Sequence, residues 1–255
     1  MIRPVAVISK LALIAAGGSF LSFGLQTAVR AEEPAAAVAP IANGGARLNI
    51  APLRLELDAV KTGATVMLTN TSSRPLAVQT RLFAWSQEAG EDRYAPSSAL
   101  TVSPSIISIA PGATQIVRVL RTSAASPGEK RFRLAVDQLP DPTLAKSGEA
   151  EARLRFTLPV FIDRDKAEPA ALTWRLAGGQ LQLANSGGRT AKVMSVEVKA
   201  AGGTAIPVER NSLRYVHGQS AISWGLGSLC PAGPVSVTAL VDGQTANAQV
   251  SPNCG

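Results

Sequence analysis

The sequence predicts an all-β protein built of two antiparallel sandwiches in succession behind a removable export signal. Three observations predict it. Short alternating apolar runs follow one another from Leu48 to Val250, each closed by Gly, Pro, Asn, Asp or Ser. No stretch between Leu48 and Asp163 sustains a helical period. A charged segment ending in proline, Asp163-Arg164-Asp165-Lys166-Ala167-Glu168-Pro169, divides the runs into two sets.

The export signal occupies residues 1 to 31. Arg3 and Lys10 give a basic start, an apolar run extends from Leu11 to Leu25, and Val29 and Ala31 supply small residues at the cleavage spacing before Glu32. A spanning helix needs ~20 apolar residues. This run is shorter and is interrupted by Gly17, Gly18, Ser19, Ser22 and Gly24, so a cleaved signal is read and no membrane insertion is expected afterwards.

Cleavage leaves 224 of the 255 residues, enough for two domains of ordinary size. It removes Arg3, Lys10 and Arg30 and no acidic residue, so the formal charge falls from +7 to +4. The remaining basic residues are scattered singly along strand-like runs without interleaved aromatics, a pattern that speaks against nucleic acid as partner. The two cysteines, Cys230 and Cys254, lie near the C-terminus of an exported chain, where a disulfide is permitted and expected. Two free thiols or a metal site are the other readings, the latter short of ligands because His217 is the only histidine.

Residues 32 to 46 are rich in Ala and Pro and follow neither period, which predicts a flexible mature N-terminus. In the first domain, residues 47 to 163, strands are read over Leu48 to Leu57, Thr65 to Leu68, Leu76 to Trp85, Ile106 to Ile109, Gln115 to Leu120 and Arg131 to Val136, with Ala110-Pro111-Gly112-Ala113 as a turn. This number and spacing of strands suits a sandwich of immunoglobulin type. Residues 164 to 169 form the linker. The second domain, residues 170 to 255, carries strand runs from Leu172 to Val250, and Asp242-Gly243 between two of them marks a tight hairpin.

The blocks IAPLRLEL (50 to 57), VMLTNTSSRPLAVQTRLFAW (66 to 85), VSPSIISIAPGATQIVRV (102 to 119), FRLAVDQLP (132 to 140) and LRFTLPVF (154 to 161), in this order, resemble the periplasmic pilus-assembly chaperones. Members of that family have two immunoglobulin-like domains in a boomerang arrangement. Trp85-Ser86-Gln87 and Leu158-Pro159-Val160-Phe161 are similar to the branch called archaic. The resemblance implies a periplasmic chaperone that binds and stabilises pilus subunits by donor-strand complementation and delivers them to an outer-membrane usher. A pilus subunit is a sandwich lacking its last strand, and the chaperone adds an edge strand to the open sheet. When the chaperone is free, self-association is one way to cover that edge.

The donor implied by the resemblance is the strand at about residues 149 to 162. Its apolar row is Ala152, Leu154, Phe156 and Leu158, and Arg153, Arg155 and Thr157 alternate on the other face. Taken alone, such a row reads first as packing inside its own domain, and it is the resemblance that reverses this. Pro159 favours an edge position, because proline is excluded from central strands. The polar segment from Asp141 to Gly148 before it reads as a loop that orders on partner binding.

The resemblance also implies a basic anchor for the C-terminal carboxylate of the subunit. Arg54 matches the family's first-strand arginine, and an arginine fork holds a carboxylate with two parallel bonds. The family's second anchor, a lysine late in the donor strand, falls near Leu158 or Pro159, where this chain has no charge. Arg155 is the substitute read here, with Arg153 next.

Two rival classes fit less well. An enzyme lacks a nucleophile–base set, because the single histidine, His217, sits in a turn-like context that predicts a solvated loop residue, and no metal or cofactor motif is present. The chain as a pilus subunit or a surface-exposed adhesive protein would call for an alternating N-terminal extension, which residues 32 to 46 do not supply.

Overall fold

The computed structural model describes residues 47–125, 127–141, 153–227, 231 and 233–253. The export signal, the Ala/Pro-rich segment, the loop residues 142 to 148, Ala152, and both Cys230 and Cys254 lie outside the described residues.

The first sandwich contains β1 (Leu48–Ala51), β2 (Leu55–Leu57), β3 (Gly63–Asn70), β4 (Leu76–Glu88), β5 (Glu91–Pro96), β6 (Leu100–Ser103), β7 (Ile106–Ile109), β8 (Thr114–Arg121), β9 (Lys130–Gln138) and β10 (Arg155–Ile162). One sheet has the order β1-β3-β8-β6, the other β2-β10-β9-β4-β5, with β7 also on β4. The alternation seen in the sequence becomes burial. Val66 and Leu68 of β3, Val117 and Val119 of β8, Leu134 and Val136 of β9, and Val160 and Ile162 of β10 meet in one core.

The run from Leu48 to Leu57, read as one strand, is two. β1 pairs with β3, whereas β2 pairs parallel with β10 in the opposite sheet. Pro52 cannot donate to a ladder, and the chain changes sheets there. In consequence Leu55 and Leu57 are buried while Leu53 is 68% exposed. The peptide bonds before Pro52 and before Pro104 are both cis. Strand β5 carries no alternating signal because five of its six residues are exposed.

A short 3₁₀ turn, Arg164–Lys166, leads into the second sandwich. That sandwich comprises β11 (Leu172–Ala177), β12 (Gln180–Asn185), β13 (Ala191–Ala200), β14 (Ala205–Ile206), β15 (Arg214–Val216), β16 (Ser220–Gly225), β17 (Val235–Val241), β18 (Gln244–Val250) and β19 (Pro252–Asn253). Its sheets run β16-β12-β11-β19 and β14-β13-β17-β18, with β15 also on β13. The β17–β18 hairpin turns on Asp242 and Gly243, both with positive φ, the primed geometry that Asp-Gly favours.

Both sandwiches use one device at the end of a core strand. Asn70 is fully buried, donating to the carbonyls of Arg74 and Ile109 and accepting from Ser72 N–H. Asn185 donates to Arg189 O and accepts from Gly187 N–H in the same way. Each side chain satisfies turn backbone groups that the adjacent strands leave unpaired.

Candidate functional site

Strand β10 has two unlike halves. From Val160 to Ile162 it is flanked by β9 on one side and β2 on the other. From Arg155 to Pro159 it pairs with β9 alone, so among the described residues its other edge carries no strand. Pro159, at the end of the open stretch, suits an edge.

The inward row of β10 grades from buried to half-buried. Leu158, Val160 and Ile162 belong to the core of the first sandwich, Leu158 with only 2% exposure. Phe156 and Leu154 pack on the margin of that core and stay partly exposed. The apolar row read from the sequence is thus divided, with Leu158 committed to its own domain and Leu154 and Phe156 at the open end. Ala152 lies outside the described residues.

The outward row meets charged side chains of β9. Arg155 stands opposite Asp137 and is ion-paired with it, and Arg81 of β4 bonds the same carboxylate at 2.7 Å. Burial pushes the Asp137 carboxyl up, but the bonds from Arg81 and Arg155 outweigh it and hold the group below the usual carboxylate range. Arg155 is therefore engaged four ladder positions, roughly 13 Å, from Pro159.

A different arginine occupies the place where the second cation was sought. Arg133 of β9 lies directly opposite Pro159. It is 8% exposed, its guanidinium is 3.6 Å from the centroid of Trp85 and 4.9 Å from that of Tyr215, and Asp92 approaches at 3.9 Å. Its Nε is buried without a hydrogen-bond acceptor among the described residues. Arg54 shares this face of the sheet. Its guanidinium lies 4.8 Å from the centroid of the buried Phe161 ring, it is ion-paired with Glu56, and its Nε also lacks an acceptor there. Phe161 and Trp85 are 6.3 Å apart, so one aromatic layer underlies both arginines.

Arg133 opens onto a cleft of about 500 Å³ whose walls come from both sandwiches. The first contributes Leu53, Arg133 and the β10 stretch from Phe156 to Pro159; the second contributes Lys192, Leu213, Arg214 and Tyr215. Neither Arg54 nor Arg155 lines it. Sequence reasoning missed Arg133 because β9 is buried on both faces and its arginine carries no distinguishing spacing.

Two polar hubs join the sandwiches, one in the cleft wall and one apart from it. Gln87 of β4 donates to Tyr215 O at 2.8 Å and accepts from His217 N–H and the Ser220 hydroxyl, both at 2.9 Å. The fully buried carboxylate of Glu129 accepts from Thr190 N–H at 2.9 Å, from Arg131 at 3.0 Å and from Arg164. Burial pushes Glu129 up, yet the Thr190 bonds and the Arg164 charge win and hold it below its ordinary value. Nothing in the sequence links Glu129 to Thr190, 61 positions away.

His217, expected as a solvated loop residue, is 2% exposed. Its ring packs edge-on against Trp85 at 4.2 Å, because β15 brings it under the first sandwich. Burial lowers its pKa to about 3, helped by Arg131 and Arg133 and opposed by Asp92 and Glu129. It is a neutral packing residue. Among the described residues no group of His, Cys, Asp and Glu side chains could hold a metal.

Among the described residues, a strand open on one edge thus stands beside a cleft between the two sandwiches whose lining includes Arg133, Lys192 and Arg214. Residues 47–167 match the family of pili and flagellar-assembly chaperones, PapD N-terminal domain. The first domain is therefore similar to the N-terminal domain of these chaperones. Among curated protein sequences none matches the chain. Solved structures share the two-domain fold. A chain of the CsuC–CsuE chaperone–tip adhesion subunit pre-assembly complex, from the archaic chaperone–usher Csu pili of Acinetobacter baumannii, aligns at 18% identity and TM-score 0.61, covering 81% of this chain and 99% of that one. The E. coli chaperone DraB aligns at 18% identity and TM-score 0.57, covering 82% and 97%. A chain of the Salmonella enterica SafA pilin in complex with the SafB chaperone aligns at 18% identity and TM-score 0.56, covering 80% and 96%.

Proposed function

We propose that this protein is a periplasmic chaperone that captures pilus subunits on the open edge of β10 and passes them to an outer-membrane usher. The single observation that carries the reading is the stretch from Arg155 to Pro159, whose edge away from β9 carries no strand among the described residues, bordered inward by half-buried Leu154 and Phe156 and ending opposite Arg133. A subunit strand added there gains main-chain hydrogen bonds along the edge. Leu154 and Phe156 then enter its open core, and each large side chain so buried adds about 1.5 to 3 kcal/mol.

The subunit's terminal carboxylate is held by Arg54 and Arg133 in this reading. Both have a buried Nε–H without an acceptor, and a partly desolvated carboxylate would satisfy it. Arg155 is set aside as anchor because it stands four ladder positions from Pro159, outside the cleft lining, and is bonded to Asp137. Export by the signal at residues 1 to 31 brings the chain to the compartment where subunits emerge.

Co-expression of the full chain with its pilus subunit tests the reading. A stable one-to-one complex from the periplasm is expected for the wild type and for Arg155→Ala. Failure of the wild type to retain a subunit would refute the proposal.

A further inference from the structure

Three leucines are exposed among the large apolar side chains of the described residues, Leu53, Leu120 and Leu213, and two of them line the same cleft. Leu53 follows the sheet change at Pro52 and is 68% exposed; Leu213 precedes β15 in the second sandwich and is 48% exposed. A single exposed leucine needs no explanation, but two that enter one cavity from different domains form an apolar contact site. The same cavity holds Arg133 and Lys192, so its walls combine cation and aliphatic surface. Its volume of about 500 Å³ is that of a small-ligand site and admits the end of a chain. It is also continuous with the open edge of β10, through Phe156 to Pro159.

We infer that this cleft selects the last residue of the captured subunit, taking an apolar side chain between Leu53 and Leu213 while the basic groups hold the terminal carboxylate. The inference rests on the proposed capture of the subunit by its C-terminal end and adds the chemistry of its final side chain. An acidic side chain at that position would face Glu91 and Asp92, which line the cleft as well, and would be desolvated against leucine. A small polar one would leave the two leucines wet. Filling an apolar pocket of this kind discriminates by about tenfold or more.

The test uses fluorescein-labelled ten-residue synthetic peptides of one common sequence ending in Leu, Ser or Asp, each as free acid and as amide. Binding to the mature full chain is read by fluorescence anisotropy. The Leu-ended free acid is expected to bind at least tenfold more tightly than the Ser- and Asp-ended ones. In the Leu53→Ser/Leu213→Ser double variant that ratio falls below twofold with an unchanged unfolding midpoint, since both side chains are exposed in the wild type. Equal wild-type affinities, or a preference that survives in the double variant, would overturn the inference. If amides bind as well as acids while the leucine preference is lost in the variant, the carboxylate anchor fails and the side-chain selection stands. If no peptide binds, both fail together.

Discussion

Pro159 and Arg133 face each other across the β9–β10 ladder. Strand β10 lacks a cation at the position where the resemblance calls for one, and the neighbouring strand supplies a guanidinium at the same level. That guanidinium lies 3.6 Å from the Trp85 ring centroid with Tyr215 at 4.9 Å, so it is positioned before any partner arrives.

Removing this charge should weaken capture without unfolding the chaperone. Arg133→Met keeps the aliphatic stem against Trp85 and is expected to lower the affinity for a subunit at least tenfold, the range of a lost charge-assisted bond. Arg54→Ala should act similarly, and Arg155→Ala should change affinity less than threefold. Titration calorimetry with a purified pilus subunit reads all three.

The inward row of β10 should divide by function. Leu158→Ala opens a cavity in the core and is expected to cost roughly 2 to 4 kcal/mol of stability. Phe156→Ser, at the half-buried margin, should cost about 1 to 2 kcal/mol or less yet abolish complex formation. Urea unfolding of the free proteins, set beside co-purification of the subunit, separates the two effects. A Phe156 variant as unstable as the Leu158 variant would place Phe156 in the chaperone's own core.

Glu129 ties the two sandwiches together through Thr190 and also neutralises Arg131 and Arg164. Glu129→Ala leaves the Thr190 N–H without its acceptor and takes the shared carboxylate from two part-buried guanidiniums, of which Arg131 keeps its bonds to Thr190 and Gly188, and should destabilise the protein by about 3 kcal/mol, read from urea unfolding. Gln87→Ala removes three bonds across the cleft with little change in burial, so its expected effect is weaker binding of the subunit with a smaller loss of stability.

The pH dependence of stability has two separable parts. The pKa of His217 is about 3 in the folded protein against 6.5 for the unperturbed side chain, so the unfolded chain binds the proton first. Its contribution is complete above pH 6.5 and is lost as pH falls from there toward 3, amounting to roughly 2 kcal/mol at pH 5. The depressed carboxylates of Glu129 and Asp137 act lower, their contribution disappearing as pH drops through the folded values beneath the usual carboxylate range. Denaturant melts at pH 7 and pH 5 should differ, and His217→Gln should flatten the difference. A proton resonance of His217 that titrates near pH 6.5 in the native protein would contradict the first part.

The strands whose two faces differ, such as β3 and β8, are plain in the sequence because alternation is the direct record of one buried side. Strand β5, exposed nearly throughout, is hidden there, and so is the break at Pro52, where apolar alternation continues from Leu53 through Leu57 although the strand does not. Strand β10 is legible as an alternating edge with a proline. The proposed anchor is only half legible. Arg54 stands in a recognisable block, but Arg133 depends on a cross-strand neighbour, and its environment is completed by Tyr215 from the other sandwich. His217 escapes the sequence for the same reason, since a turn-like context says nothing of a Trp85 ring that closes over it.

The most direct measurement is amide hydrogen exchange along β10 in the free chain and in its complex with a pilus subunit. Donation of the open edge predicts that, within residues 153 to 158, the amides facing away from β9 gain strong protection on binding while 160 to 162, already enclosed by β2 and β9, change little. A complex with the subunit in which those open-edge amides exchange as fast as in the free protein would contradict the account.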